Sequence, residues 1–266
     1  MKRFLLKFFY GLRNFDFFIF LLICWEIFAR FIYPQFESRA AIFLPTFLNV
    51  LKEFWQLLAN GILWQHILAS CKRILVGFSL ASLCGITLGF ILGYSQRAYE
   101  QLQGICQIFR PVPPVAWIPI SLLWFGITEA QQCFIIFIGV IFPILFNTLD
   151  GVHSVSSQYK HAAQSLGANK ALLLRKVILP AALPKIMFGL RSGIGYAWFI
   201  IVAAEFVSAP RGLGCLILEG RNAIITERIF VGMIVIGTIN LLFDYALTKL
   251  ENLIVPWQKV SLFYEE

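Results

Sequence analysis

The sequence predicts an all-α membrane protein that crosses the bilayer six times. Of its 266 residues 59% are hydrophobic and only 14% are charged, whereas soluble domains carry roughly 25% charged residues. Apolar stretches recur at lengths close to the ~20 residues that a helix needs to cross a ~30 Å hydrocarbon layer, and nothing resembles the alternating strands of a membrane barrel. The predicted spans cover about residues 15–33, 74–95, 111–128, 131–149, 186–204 and 229–247. Their close spacing predicts a single transmembrane domain over residues 1–266.

The first predicted span follows a basic segment, residues 1–13, that could be mistaken for the start of a secretory signal. A signal peptide has a shorter apolar core and a small-residue cleavage site, whereas this core runs to about Tyr33. Twelve of the 22 Lys and Arg residues fall in segments that are cytoplasmic if the N-terminus is inside, and seven fall in outer segments. This excess predicts that both termini are cytoplasmic. The net charge of +8 is then a topological signal, and no nucleic-acid partner is predicted.

Residues 46–58, between the first two spans, carry apolar side chains at helical spacing, including Phe47, Leu51 and Trp55. This pattern predicts an amphipathic helix at the outer membrane interface, with Trp55 at the level of the lipid headgroups.

The second span contains a ladder of glycines spaced by multiples of four residues, Gly77, Gly85, Gly89 and Gly93. Small residues at this spacing let two membrane helices approach closely. The alternative is the ordinary abundance of glycine in membrane helices.

The third span begins among four prolines, Pro111, Pro113, Pro114 and Pro119. Proline removes a backbone donor and clashes with the preceding turn, so the span should begin irregularly and be kinked. Irregular backbone at membrane depth is tolerated inside protein or beside a water-filled cavity. The segment is therefore a candidate wall of a transport pathway, with a purely structural kink as the alternative.

A patterned cytoplasmic loop, residues 151–185, separates the fourth and fifth spans. Residues 159–166 predict a short helix, Gly167 permits a turn, and residues 169–178 predict a second helix that Pro180 ends. A loop of this length usually carries a function.

Leu166, Leu173 and Val177 fall at helical spacing and should share one face of this loop. Basic residues surround that face: Lys170, Arg175 and Lys176. An apolar ridge with a basic rim suits docking into a groove on another protein. An amphipathic helix lying on anionic lipid is the alternative.

This loop resembles that of the binding-protein-dependent ABC importer permeases, which reads E-A-A, three residues, Gly, nine residues, then I-x-L-P. The chain has His161-Ala162-Ala163, three residues, Gly167, nine residues, then Val177-Ile178-Leu179-Pro180, so that His161 replaces the usual Glu. The resemblance extends over residues 66–250 and includes Ser70, Arg73 and Gly77, the segment RPVPPVAWIP and the segment IVAAEFVSAPRGLG. These patterns resemble the nitrate, sulfonate, taurine and bicarbonate branch, and importers of thiamine-precursor pyrimidines are also similar.

The resemblance implies a MetI-like permease fold whose cytoplasmic coupling helices dock on an ABC ATPase dimer. It also implies a periplasmic or lipid-anchored substrate-binding protein, a second permease copy, most simply in a homodimer, and a place in a bacterial inner membrane among its lipids. The ATPase-docking residues that it implies are His161, Ala162, Ala163, Gly167, Val177, Leu179 and Pro180. Because His161 lacks the carboxylate of the usual Glu, any contact made through that group is in question.

The sequence contains no G-x-x-x-x-G-K-[ST] phosphate loop, so ATP hydrolysis is assigned to a partner and the chain itself is not predicted to be an enzyme. Its three histidines and six singly placed cysteines show no spacing typical of a metal site, and no cofactor is predicted.

Candidate pathway or gate residues are Arg110, Trp117, Arg191 and Glu205. Ionisable side chains within spans usually face protein or water. Arg191 could attract an anion or extend to the cytoplasmic surface, whereas Glu205 is better suited to gating or helix pairing. The rival functions are a secondary carrier working alone, for which inverted repeats are expected, and a membrane-bound enzyme.

Overall fold

The computed structural model describes residue 17, residues 19–35 and residues 43–257. Within these ranges the chain is helical and has no β-strand. The helices are α1 (19–27), α2 (Phe47–Ala59), α3 (Ile62–Tyr94), α4 (Gln96–Phe109), α5 (Ile118–Phe125), α6 (Glu129–His153), α7 (Ser157–Ser165), α8 (Lys170–Leu173), α9 (Leu179–Ser208), α10 (Leu213–Asn222) and α11 (Thr226–Ile254). Short 3₁₀ or π segments cover Phe28–Ile32, Tyr33–Gln35, Pro114–Trp117 and Leu174–Ile178.

The chain divides into two compact units. One contains the described residues up to His66 together with Leu216–Val235, and the other contains Ile67–Cys215 and the described residues from Ile236 onward. The single domain expected from the span spacing stays a prediction.

In the first unit α1 packs beside α2 and the start of α11. The Trp25 indole donates to the Pro45 carbonyl at 3.2 Å and its ring lies 5.2 Å from that of Phe230. Thr46 caps α2 by accepting a hydrogen bond from the Asn49 amide, as is typical of a helix N-terminus. The predicted helix over 46–58 is confirmed, while its place at the membrane interface stays a prediction.

Four helical stretches in the described residues are long and apolar enough to cross a membrane: α3, α6, the helix Lys170–Val207 and α11. Helix α4 and the segment Pro114–Phe125 form a pair bent by 84°, which adds a fifth crossing if it counts as one span. The first predicted span, 15–33, lies partly outside the described residues. The third predicted span, 111–128, begins irregularly as predicted, because a 3₁₀ turn at Pro114–Trp117 precedes the eight-residue helix Ile118–Phe125.

The glycine ladder of α3 packs directly on α6. A Cβ atom at Gly89 would lie 2.5 Å from the Leu145 carbonyl oxygen, and one at Gly85 would lie 3.0 Å from that of Ile141. These separations are too short for any larger residue. The prediction of close helix packing is confirmed, with α6 as the partner.

Helix α9 also approaches α6 through glycines of its own, and glycines of both α3 and α9 meet Ile144 of α6. A Cβ atom at Gly189 would lie 2.8 Å from Cβ of Asn147, and one at Gly193 would lie 3.1 Å from Val140. Helix α6 is therefore packed against both α3 and α9, and many of its side chains are buried.

Helix α3 begins at Ile62, twelve residues before the predicted start of the span. The sequence prediction followed apolar residues and stopped at Lys72 and Arg73. The helix continues through this polar stretch because Ser70 and Arg73 are buried and hydrogen-bonded to groups elsewhere in the chain.

The prediction that Pro180 ends the second loop helix is wrong. The chain stays helical from Lys170 to Val207. Within Leu174–Ile178 the hydrogen bonds shift by one residue, so that the Leu179 amide donates to the Leu174 carbonyl five residues back. Such a π turn changes the pairing of backbone N–H and carbonyl groups. Pro180 then lies in the first turn of α9, where a missing N–H is tolerated.

Candidate functional site

The loop between α6 and α9 forms the predicted helix–turn–helix. Ser156 caps α7 by accepting from the Gln158 amide at 3.3 Å, and Asn169 caps α8 by accepting from the Leu172 amide at 2.8 Å. Between them Gly167 has φ +83°, in the left-handed region that favours glycine. The predicted turn at Gly167 between two helical segments is therefore confirmed.

The apolar face of the loop differs from the predicted one. Leu173 is only 6% exposed and packs with Ile178 on the end of α6, and Val177 is partly buried against the same cluster. Leu166 is instead 89% exposed. The predicted ridge of Leu166, Leu173 and Val177 is wrong, because two of its members fix the loop to its own chain.

This loop exposes three large apolar side chains, Tyr159, Leu166 and Leu172, which we name together the loop surface. The other residues implied in docking are His161 and Ala162, both exposed, and Ala163, which packs partly on the cluster around Val152. Leu179 is exposed and Pro180 is half-buried.

A separate pocket of about 380 Å³ opens between the proline-rich segment, α6 and α9. Its polar side chains are those of Arg110, Asn147, Ser192 and Tyr196. Pro114 packs against Gly139 of α6, where a Cβ atom would lie 3.0 Å from the proline ring. The proline-rich segment thus lines a pocket, while its place in a transport pathway stays a prediction.

The Arg110 guanidinium lies 4.7 Å from the centre of the Phe146 ring. Within residues 17, 19–35 and 43–257 it has no carboxylate partner. A cation over an aromatic face keeps its hydrogen-bond donors available. Arg110 therefore provides positive charge that an anion entering the pocket can use.

Arg191 is placed differently from Arg110. Its guanidinium bonds to Asp244 at 3.0 Å and to Glu251 at 3.3 Å, both on α11. Two carboxylates neutralise its charge, and Arg191 does not line the Arg110 pocket. Its contacts hold α9 to α11.

Trp117 is also outside the pocket lining. It packs partly buried beside Ile118 and Ile200, and its ring centre lies 6.0 Å from that of Phe109. Its buried Nε1 has no hydrogen-bond partner in the part of the chain that the structure describes.

Glu205 forms the centre of a buried polar cluster near the end of α9. Its carboxylate accepts from Ser70 Oγ at 2.7 Å, from Arg73 Nη1 at 2.8 Å and from the Gly214 amide at 2.8 Å. Ser70 Oγ in turn accepts from the Leu213 amide at 2.9 Å. We name Ser70, Arg73 and Glu205 the α10 anchor, because they bind the first residues of α10.

Comparison with known proteins decides the family. Residues 85–255 match the family described as "Binding-protein-dependent transport system inner membrane component". A putative ABC transporter permease protein of Methanocaldococcus jannaschii is 38% identical over 244 residues, covering 90% of this chain and 89% of that protein. The chain belongs to this family.

Two further relatives of the permease have named substrates. The taurine transport system permease protein of Escherichia coli is 39% identical, covering 74% of this chain and 72% of that protein. The nitrate import permease protein of Synechocystis is 35% identical, covering 89% and 86% of the two chains.

Among solved structures, the permease resembles one described as "Crystal structure of an amino acid ABC transporter with histidines". The TM-score is 0.59 at 18% identity, covering 79% of this chain and 97% of that chain. This likeness concerns the fold alone. The permease is an all-α, multi-pass membrane protein with the MetI-like fold.

Sequence reasoning missed the buried hydrogen bonds that Ser70 and Arg73 donate to Glu205. Ser70 and Arg73 lie 135 and 132 positions from Glu205. The signal that could have found them was the presence of a base at the start of one apolar segment and an acid at the end of another, since such charges are costly in a membrane unless paired.

Proposed function

We propose that the permease passes a small anion across the plasma membrane, driven by an ATPase that docks on the loop surface of Tyr159, Leu166 and Leu172. Both termini are cytoplasmic in this proposal, and a substrate-binding protein delivers the anion from outside. The observation that carries it is the position of Arg110, an arginine without a carboxylate partner among the described residues that lines a pocket between α6 and α9.

The chemistry of the pocket favours binding of an anion and not of a cation or a neutral solute. Arg110 is the only charged side chain among the described residues that line it. A guanidinium presents donors in a planar fork that matches the oxygens of carboxylate, sulfonate or nitrate groups. A volume of about 380 Å³ lies in the range of small-molecule sites. The nitrate and taurine substrates named for relatives fit this chemistry.

The loop surface supports docking of a cytoplasmic partner. Leu166 is almost completely exposed at the turn, and Gly167 holds it there. The backbone of α7 and α8 is capped on both sides of the turn, so the surface is ordered before a partner binds. The exposed basic residues Lys170 and Lys176 at its edge favour an acidic groove.

The pocket is tested by reconstituting the permease in liposomes with its ATPase and binding protein. Nitrate, bicarbonate, taurine and an alkanesulfonate are compared for stimulation of ATP hydrolysis. We expect one of them to stimulate hydrolysis, and Arg110→Gln to lower anion flux about tenfold or more, because one charged hydrogen bond is worth about 1.5–3 kcal/mol. Arg110→Lys, which keeps the charge, should retain part of the flux. Unchanged flux in Arg110→Gln would remove the pocket from the pathway.

Docking is tested by pull-down of the ATPase. Leu166→Asp should weaken binding, because it places a charge in an apolar contact, whereas Leu166→Met should bind normally. Ser165→Asp adds the same charge at the neighbouring exposed position and serves as the control. If Leu166→Asp binds as well as Ser165→Asp, the loop surface is not the docking site. Anion flux without ATP would favour a carrier working alone.

A further inference from the structure

We propose that a groove between α3 and α6 binds one phospholipid with a phosphoethanolamine headgroup. The groove runs from Lys72 to Cys84 on α3 and from Glu129 to Phe137 on α6, with a volume of about 540 Å³, and we name it the lipid groove. One hydrocarbon chain of the lipid lies along its apolar part, and the headgroup lies at the ion pair of Lys72 and Glu129. The proposal depends neither on anion transport nor on ATPase docking.

The shape of the lipid groove follows from a close contact between its two helices. A Cβ atom at Gly77 would lie 2.8 Å from the Cys133 carbonyl oxygen, so α3 and α6 touch at this level. Val76 and Leu80 lie beside this contact on α3, line the groove and are exposed. The groove is therefore an open strip next to a tight helix contact, and a ligand can enter it from the side.

Aromatic rings form the opposite wall of the lipid groove. Phe125, the last residue of α5, lies 5.2 Å from Phe134 between ring centres, and Phe137 continues the wall along α6. Beyond its charged end the described lining offers only hydrocarbon and the thiols of Cys84 and Cys133. Such a lining favours a hydrocarbon chain and gives a small anion no strong donor.

The length of the lipid groove matches one leaflet of a bilayer. Lys72 and Cys84 are twelve residues apart on α3, about 18 Å at ~1.5 Å per residue. Half of a ~30 Å hydrocarbon layer is about 15 Å. Because Glu129 is the first residue of α6, the charged end of the groove lies at the end of a membrane-spanning helix. A hydrocarbon chain that starts there can follow the groove toward the middle of the membrane.

The charged end of the lipid groove has no net charge. Lys72 Nζ lies 2.7 Å from Glu129 Oε2, and the two side chains are 65% and 52% exposed. Arg73 is the third charged side chain among the described lining residues, and Glu205 neutralises it by accepting from its Nη1 at 2.8 Å. An anionic headgroup would add an unbalanced charge, whereas the phosphate and ammonium of phosphoethanolamine cancel each other.

Phosphoethanolamine can exchange with this ion pair without leaving a charge unpaired. Its phosphate accepts from the Lys72 ammonium, and its own ammonium donates to the Glu129 carboxylate. An exposed ion pair stabilises a protein only weakly, so opening it costs little. The buried Nε of Arg73, which has no hydrogen-bond partner among the described residues, is a further donor at this end. Phosphocholine carries no N–H group and cannot donate to Glu129.

Native mass spectrometry of the full-length permease in detergent tests the lipid. The delipidated protein is titrated with phosphatidylethanolamine, phosphatidylcholine and phosphatidylglycerol that carry the same hydrocarbon chains. We expect one phosphatidylethanolamine per chain, bound about threefold or more tightly than either competitor, because both charged contacts are exposed and weak. Equal binding of all three lipids, or tighter binding of phosphatidylglycerol, would overturn the proposal.

The position of the hydrocarbon chain is tested by filling the lipid groove. Leu80→Trp places an indole ring in it and should lower the affinity for phosphatidylethanolamine roughly tenfold, since the added volume competes with the chain. Leu83→Trp is the matched control, because Leu83 is 68% exposed on the same helix and is not among the lining residues. The control should bind as the parent does. Equal affinities of the two variants would refute the groove as the binding site.

The position of the headgroup is tested by the ratio of the affinities for phosphatidylethanolamine and phosphatidylcholine, which does not depend on the fraction of folded protein. Glu129→Gln should abolish the parent's preference, because its amide carries no charge for the lipid ammonium. Lys185→Gln breaks another exposed ion pair, with Asp150 at the opposite end of α6, and should keep the preference. A preference that survives Glu129→Gln, or one that is lost in Lys185→Gln, would contradict the assigned headgroup site.

Discussion

At the scale of single residues, the turn between α10 and α11 contains a strained backbone. Ile224 has φ +59° and is 69% exposed. The left-handed conformation costs an L-residue roughly 1–2 kcal/mol, and a β-branched side chain there is an outlier. We expect Ile224→Gly to raise the melting temperature in detergent, because glycine adopts this conformation without the clash.

The control is Ala223→Gly at the neighbouring exposed residue, which does not have positive φ. There glycine only adds freedom to the unfolded chain, so the melting temperature should stay the same or fall. A fall of equal size in both variants would mean that Ile224 is not strained.

The turn of the ATPase-docking loop can be tested in the same way, by two substitutions at Gly167. A Cβ atom at this position would meet nothing within 4 Å, so the effect of a substitution arises from φ +83° alone. Gly167→Val should weaken ATPase pull-down by disturbing the turn, whereas Gly167→Asn should retain binding, since asparagine tolerates this region. Equal binding by the two variants would show that docking does not depend on the turn.

At the scale of helices, the packing of α3 on α6 depends on the absence of side chains. Gly89→Ala should lower the melting temperature, because its Cβ would lie 2.5 Å from the Leu145 oxygen and 2.7 Å from Thr148. Gly104→Ala in α4, where nothing lies within 4 Å, should be neutral or stabilising by up to ~1 kcal/mol. A similar loss in both variants would point to helix propensity and not to packing.

Features that follow from local chemistry could be predicted from the sequence. The glycine spacing of α3 predicted close approach to a partner helix, and the pattern of residues 159–178 predicted two helical segments with a turn at Gly167. The lengths of the apolar stretches correctly predicted four spans, because the cost of exposing polar backbone to lipid depends only on local sequence.

Features that depend on distant partners could not be predicted in this way. Pro180 was expected to end a helix, and only the π turn of Leu174–Ile178 lets the chain continue. Leu173 was expected to face outward, but it packs on Val152 of α6. The start of α3 was missed because Arg73 is stable in a helix only when Glu205 is beside it. The errors at Leu173 and at the start of α3 came from contacts between segments far apart in the sequence, whereas the error at Pro180 came from the adjacent π turn.

At the scale of the whole molecule, one exposed face of α9 combines large aromatic side chains with polar ones. Phe188, Tyr196 and Phe199 are exposed on it, and Ser192 lies on the same face beside the Arg110 pocket. A polar side chain and an arginine within a span face protein or water. The second copy of the permease stays a prediction, and it would cover this face and complete the pocket.

Cysteine cross-linking distinguishes this arrangement from lipid exposure. In a cysteine-free background Phe199→Cys should form a disulfide-linked dimer on oxidation, because a symmetric interface at α9 brings the two copies of this residue together and a disulfide needs Cα atoms within about 7 Å. Leu241→Cys, equally exposed on α11, should remain monomeric on a denaturing gel. Cross-linking at position 241 and not at 199 would place the second copy against α11, and the pocket beside Arg110 would then open to lipid, where an anion could not be held.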